Sequence, residues 1–254
     1  MEKKYYLLAV EGPHDQAAIG RILKEYGCKR FDGTYDDRFD LFWKGFIPTY
    51  PKKGGNLYTR VAMPSIFTSQ THSVAIYVGE GNNLVPNMVR TLENHQQYAK
   101  EIHAFGLIVD ADKKQPKEIA KEKAEGLKSV FPMISGEPAI ITIGPPRTGI
   151  YVLPDSKRSG VLESILLKCA LSVYPDHKSA AETFINTLDE AHTKHFKPFD
   201  GDKAVIASIG SILKPVATNT SSIAQDKWIS KQTIDAIDDL KLLLEFLKDL
   251  LDLD

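Results

Sequence analysis

Five acidic residues are spaced along this chain so that they could do chemistry together: Glu11, Asp15, Asp110, Asp112 and Glu163. Glu11 follows an apolar run at residues 5–10, and Asp15 comes four residues later, in the expected first turn of a helix. There it points back over the same edge as Glu11, because helical side chains lean toward the N-terminus. Asp110 and Asp112 close a second apolar run at 103–109. They alternate across a strand end, but converge if the chain turns there. Glu163 opens a third segment, just after Gly160-Val161-Leu162. Singly, acids near helix starts are usually caps favoured by the macrodipole. Gathered at one edge, they repel each other and titrate abnormally unless a cation lies among them. Oxygen-only donors favour Mg²⁺, Mn²⁺ or Ca²⁺ over zinc.

The elements that must position these acids alternate between strand and helix. Residues 3–10 read as a buried strand stopped by Glu-Gly-Pro, and 14–26 as a helix closed by Gly27. Residues 73–78 predict a second strand, 85–100 a helix, 103–109 a third strand, and 116–130 an amphipathic helix rich in lysine and glutamate. Residues 139–143 and 150–153 predict a strand pair around Gly-Pro-Pro-Arg-Thr-Gly. Such alternation indicates an α/β fold with a mostly parallel sheet flanked by helices. Ligands of such sheets bind at the carboxyl ends of the strands. Beyond Gly160 only helical periodicity remains, at 161–173, 180–195, 203–213 and 231–251. The expected organisation is an α/β core over 1–155, with an all-helical C-terminal portion over 156–254 packed on it.

An irregular insertion at about 29–72 interrupts the core and holds Phe31, Tyr35, Phe39, Phe42, Trp43, Phe46 and Tyr50. Its aromatics could stack on bases, although a small satellite core is the simpler reading. Leu242, Leu243, Phe246, Leu247, Leu250 and Leu251 line one side of the last helix, where core packing is again the simpler reading.

Composition removes several classes. The 254 residues are 43% hydrophobic and 26% charged, ordinary globular values that exclude wholesale disorder. No apolar run approaches the ~20 residues that cross a bilayer. No small-residue cleavage site follows the opening residues, so a cytoplasmic protein without a membrane partner is expected. Cys28 and Cys169 supply neither a disulfide framework nor a four-cysteine zinc site. A formal net charge of −1 excludes a globally basic nucleic-acid coat, but leaves room for a local basic channel.

Leu7-Leu8-Ala9-Val10-Glu11-Gly12 with Asp15, together with Leu107-Ile108-Val109-Asp110-Ala111-Asp112, resembles the TOPRIM domain of topoisomerases, bacterial primases and the overcoming-lysogenization-defect (OLD) nucleases. Val78-Gly79-Glu80-Gly81-Asn82-Asn83-Leu84 is similar to the loop of the OLD-like branch. Gly149 to Asp155, Gly160-Val161-Leu162-Glu163 and Asp202-Lys203-Ala204 resemble an uncharacterised bacterial TOPRIM-related family. The long aromatic insertion departs from that pattern.

The resemblance implies that Glu11, Asp15, Asp110, Asp112 and Glu163 are carboxylates of an Mg²⁺ or Mn²⁺ site. It also implies that Lys203 neutralises charge developing on a phosphate. Glu11 would act as general base or simply hold a metal. A type IA topoisomerase needs a nucleophilic tyrosine on further domains, and a usual primase needs a zinc module. Neither fits this chain. A metal-dependent nuclease acting on DNA or RNA needs only metals, water and a channel. One metal would supply hydroxide near neutral pH, and a second, ~3.5–4 Å away, would stabilise the leaving oxygen. The same carboxylates would also serve a nucleotidyl transferase or another phosphate hydrolase. A non-catalytic interaction module is the rival from outside enzymes.

The remaining motifs are weaker. Lys157 and Arg158 could track a phosphate backbone, but read more simply as a solvated loop. Position 84 is leucine, so the dinucleotide fingerprint fails, and no Gly-x₄-Gly-Lys-Ser/Thr is present. Any ATPase would therefore be a partner in trans. Ser211-Ile212-Leu213-Lys214 lacks the companion motifs of penicillin-binding proteins. His192 and His195 have no second ligand pair. His14 could contact phosphate, but helix-start polarity explains it as well.

Overall fold

A computed structural model describes residues 3–33, 39–48, 63–79 and 81–253. It has an α/β fold. Four strands form the parallel centre: β1 (Lys4–Val10), β4 (His72–Val78), β5 (Ala104–Asp110) and β7 (Arg147–Leu153). Three short strands extend the sheet in antiparallel sense at its two edges: β2 (Lys29–Arg30), β3 (Ser65–Thr68) and β6 (Ile141–Thr142). The order across the sheet is β2-β3-β4-β1-β5-β7-β6. The central strands are apolar on both faces, as strands covered on both sides must be.

Alternation along β1 divides the core in two. Tyr6, Leu8 and Val10 face a layer made by α1 (Pro13–Glu25), α5 (Leu162–Val173) and the C-terminal helices. Leu7 and Ala9 face α2 (Leu84–Asn94), α3 (Gln96–Glu101), α4 (Pro116–Leu127) and the aromatic insertion. The C-terminal portion continues through α6 (Pro175–Asn186), α7 (Glu190–Thr193), α8 (Asp200–Leu213), α9 (Asn219–Gln225), α10 (Lys231–Ala236) and α11 (Asp238–Leu251). It shares the first core with α1 and the sheet, as expected of a portion packed on the core.

The last helix is buried for a local reason. Gly106 and Gly149 are register partners on β5 and β7. A Cβ at Gly106 would lie 2.6 Å from Leu250, and one at Gly149 would lie 2.9 Å from Phe246. The bare backbone admits α11 against the sheet. Asp252 then accepts hydrogen bonds from Lys4 (3.0 Å) and Arg147 (2.6 Å), and His72 contacts the Leu251 carbonyl at 3.0 Å. The core-packing reading of this helix holds, with Leu242 only half-buried.

Several expected boundaries change. The helix over 85–100 is two, because His95 leaves helical geometry (φ −133°, ψ 61°). The helix over 231–251 breaks at Ile237 (φ −110°, ψ 113°). The segment over 180–195 begins earlier, at Pro175, whose fixed φ suits a helix's first turn, and ends at Asn186 before the separate α7. The expected strand over 139–143 is only Ile141–Thr142. The insertion contributes β2 and β3, which no period-2 pattern had signalled.

Its aromatics form a satellite core. Trp43 and Phe46 are buried, Tyr5 and Phe42 stack at 3.8 Å, and Trp43 and Tyr98 stack at 6.0 Å. The Trp43 indole N–H donates to Ser73 Oγ (3.0 Å), which donates to Asp40 (2.8 Å). Tyr35 and Tyr50 lie outside the described residues. Among the described residues, no helix is long and apolar enough to cross a membrane.

Candidate functional site at the carboxyl edge of the sheet

The strand order makes β1 and β5 neighbours, so Glu11 and Asp110 emerge side by side at one edge. Gly12 follows in extended geometry (φ −142°, ψ 172°), and α1 starts at Pro13. Asp15, in the first turn, folds back so that its Oδ2 accepts the Gly12 N–H at 2.8 Å. It is only 7% exposed. Asp110 Oδ1 accepts the Leu162 N–H at 2.9 Å, capping the first turn of α5. That turn presents Glu163, 5% exposed, whose Oε1 lies 3.5 Å from His14 Nδ1.

Asp112 reaches the edge by a different route. Its backbone pairs in both directions with Gly160 at 2.9 Å, and it adopts left-handed geometry (φ 51°). Gly160 has φ 147°, and a Cβ there would meet the Pro154 ring at 3.0 Å, so glycine suits the position on both counts. This bridge ties the β7–α5 loop to the end of β5. The Asp112 side chain remains exposed.

Electrostatics ties these residues together. Burial pushes the Asp15 carboxyl up to about 7, against the Gly12 hydrogen bond, and the charges of Glu11 and Glu163 push the same way. Burial raises Asp110 well above the ordinary carboxylate range, and Asp15, Glu11 and Glu163 raise it further. Burial also raises Glu11, opposed chiefly by Lys123, while Asp112 adds to the rise. Glu163 goes the other way. Burial would raise it, but His14, its own backbone amide and Lys203 together hold it below its usual value. Glu11 and Glu163 thus act on both Asp15 and Asp110, and Asp112 acts on Glu11, so all five acids expected from the sequence meet at one edge.

Lys203 enters from the first turn of α8, loosely paired with Asp200 at 3.9 Å, and its charge acts on both Glu11 and Glu163. Three residues were not singled out from sequence as members of the group. His14, whose sequence position suits a phosphate contact, braces Glu163. Asp202, beside Lys203, is raised by burial and then by Glu163 and Glu182. Lys123 acts on Glu11 from α4. Its signal was legible: it is the one charged residue in the helix-spaced stripe 116, 119, 120, 123, 124 and 127.

Other candidates fall away from the edge. Arg158 pairs with Asp155 (3.2 Å) and with buried Asp239 (2.7 Å), which Lys168 also contacts (2.5 Å). These pairs hold a loop in place, in line with the simpler reading. His192 and His195 are exposed. Gly79 donates to the Val10 carbonyl at 2.9 Å, which sets the glycine-rich loop at the same edge; its Glu80 lies outside the described residues.

The donor set fits a hard divalent cation in its chemistry, because it is all carboxylate oxygen, with Glu11, Asp15 and Asp110 raised by burial and by neighbouring acids. It is not a closed coordination shell. Among the described residues, no three His, Cys, Asp or Glu side chains stand together at metal-ligand spacing. One oxygen of Asp15 and one of Asp110 are engaged by backbone amides instead.

Fold and edge together define an α/β protein with an acidic cluster at the carboxyl ends of its parallel strands. The chain belongs to the family described as protein of unknown function DUF3226, which matches residues 5–252. Among solved structures it is similar to the crystal structure of a hypothetical protein, PH0156, from Pyrococcus horikoshii OT3. That similarity covers 98% of this chain and 96% of the other, with a TM-score of 0.54 and 15% identity, and it shows the fold alone. No curated protein matches.

Proposed function

We propose that this protein is a metal-dependent phosphodiester hydrolase acting on DNA or RNA. The observation that carries the reading is the group Glu11, Asp15 and Asp110. Three carboxyls held above their ordinary range at one strand edge are costly unless a cation neutralises them. The sequence resemblance to TOPRIM nucleases supports the same reading. Glu11, Asp15, Asp110, Asp112 and Glu163 would hold Mg²⁺ or Mn²⁺, which when bound makes hydroxide available near neutral pH.

The chain's own residues do the rest. Lys203 faces the phosphate and offsets charge that develops on its oxygens. Glu11 is a ligand or the base toward the attacking water. His14 braces Glu163, and the Gly12 and Leu162 amides hold one oxygen each of Asp15 and Asp110. A nucleotidyl transferase or another phosphate hydrolase would use the same residues. Those two amide bonds also favour a second reading, in which the acids are helix caps of a non-catalytic interaction module.

Supercoiled plasmid, single-stranded DNA and tRNA, each with Mn²⁺, Mg²⁺ or EDTA, separate these readings. The hydrolase cuts at least one substrate in a metal-dependent manner. Absence of cutting on all three, with either metal, contradicts it.

A further inference from the structure

The aromatic insertion leaves a cavity at the same edge of the sheet as the acids. β3 runs antiparallel to β4, with Ser65 opposite Ile76, so β3 begins where the parallel strands end. β2 runs antiparallel to β3 and leaves the sheet at that edge, where the Phe31 N–H donates to the Ile66 carbonyl at 2.8 Å. Here lies a cavity of about 210 Å³, walled by Phe31, Phe39, Ile47 and Ile66, with Arg30 and Met63 also in its lining. β3 stands two strands from β1, so the cavity is about 10 Å along the edge from Glu11, at about 4.8 Å per strand. One side chain ties the two places together. Gln16, next to Asp15 on α1, donates through its amide to the Met63 carbonyl (3.2 Å) and to the Ile76 carbonyl (2.9 Å).

We propose that this cavity holds one unpaired nucleobase of the strand whose phosphodiester lies at the acidic edge. An apolar cavity of about 150 Å³ accepts benzene, so this one has room for a single base and not for a base pair. Its walls suit the faces of a base. Phe31 and Phe39 meet edge to face with centroids 5.4 Å apart, and Phe31 is only half-buried. The rest of the lining suits what a base is attached to. Arg30 is exposed and makes no ion pair among the described residues, so its guanidinium is free for a backbone phosphate. Met63 is exposed and adds adaptable apolar surface. An apolar peptide side chain would use the walls but leave Arg30 without a partner. A duplex would first have to extrude a base, at the cost of unstacking and unpairing it. The proposal rests on the hydrolase reading and adds that its substrate is single-stranded.

The test measures binding and base burial apart from cleavage. Oligothymidylate with 2-aminopurine at alternate positions, single-stranded or as a duplex, is titrated with the full chain in Ca²⁺, under conditions where gels show the probe intact. The single strand should bind at least about 10-fold more tightly than the duplex, and 2-aminopurine emission should fall as a base stacks on a ring. Phe31→Leu keeps an apolar wall without the ring. It should melt like wild type, bind the single strand about 10-fold more weakly and lose most of the quenching. Phe31→Tyr should restore both. Arg30→Met should make the plot of log affinity against log salt shallower by about 1, the loss of one phosphate contact. Leu41→Ser, at an exposed apolar residue outside the cavity, should change nothing. Wild type that binds neither probe, or binds duplex as tightly as single strand, overturns the proposal. So does Phe31→Leu with wild-type affinity and quenching, or an unaltered slope in Arg30→Met. If wild type cuts nucleic acid but Phe31→Leu binds single strands normally, the hydrolase reading stands and this one falls. If the base is buried as expected but nothing is cut, the cavity keeps its role and the hydrolase reading falls.

Discussion

The Asp110 carboxylate accepts the Leu162 amide at 2.9 Å, so the acid at the end of β5 caps the helix that carries Glu163. One side chain thus serves the fold and the candidate site, and its two roles can be pulled apart. Asp110→Asn keeps an oxygen for the cap and removes a charge from a repelling group. Its Tm should equal or exceed that of the metal-free wild type. Asp110→Ala also loses the cap, worth about 1 kcal/mol. Thermal melts in EDTA check both. A large drop in Asp110→Asn would mean that its charge, not its oxygen, holds the edge together.

Metal-free stability should depend on pH with a definite sign. The Asp15 carboxyl lies at about 7 in the fold, above the unfolded value near 4. Between those values the folded state binds the extra proton, so this contribution is full below about pH 4 and is lost as pH rises through 7. Asp110 and Glu11, also raised, act in the same direction. In EDTA the Tm should be several degrees higher at pH 5.5 than at pH 8, and Mn²⁺ should recover most of the difference at pH 8. Equal Tm values at the two pH values would refute the raised carboxyls at this edge.

Lys203 should matter for turnover and not for metal. Lys203→Ala removes charge that acts on Glu11 and Glu163, so Mn²⁺ affinity should hold or rise. Cleavage should slow by about 10²-fold or more, as when one donor to developing charge is lost. Unchanged turnover would sink the assignment.

The paired glycines under α11 give a prediction about folding alone. Gly149→Ala would place a Cβ 2.9 Å from Phe246, a ring fixed in the core. Overpacking of this kind costs about 1–3 kcal/mol, measurable by urea denaturation. A neutral substitution would show that α11 can shift on the sheet.

The central sheet was legible because its strands are continuous apolar runs that end in turn residues, as at Val10-Glu11-Gly12. The acids at those ends followed from the rule that parallel sheets bind ligands at their carboxyl edge. What the sequence hid had physical causes. β3 pairs within the insertion, where no alternation marks it, because its pairing depends on β4 and on the ring cluster around Trp43. The breaks at His95 and Ile237 interrupt helical periods that run on through them, so only backbone geometry reveals them. Asp202 and His14 join the group through α8 and α1, and their approach to Glu163 is a tertiary fact that no local spacing encodes.

The most direct measurement is Mn²⁺ binding at equilibrium, followed by the loss of free Mn²⁺ signal in electron paramagnetic resonance. Wild type is compared with Asp110→Asn at pH 7.5. Wild type should take up Mn²⁺, and the variant should bind it at least about 10-fold more weakly while remaining folded. Wild type that leaves the free Mn²⁺ signal unchanged, or a variant that binds as tightly, would contradict a metal site at this edge.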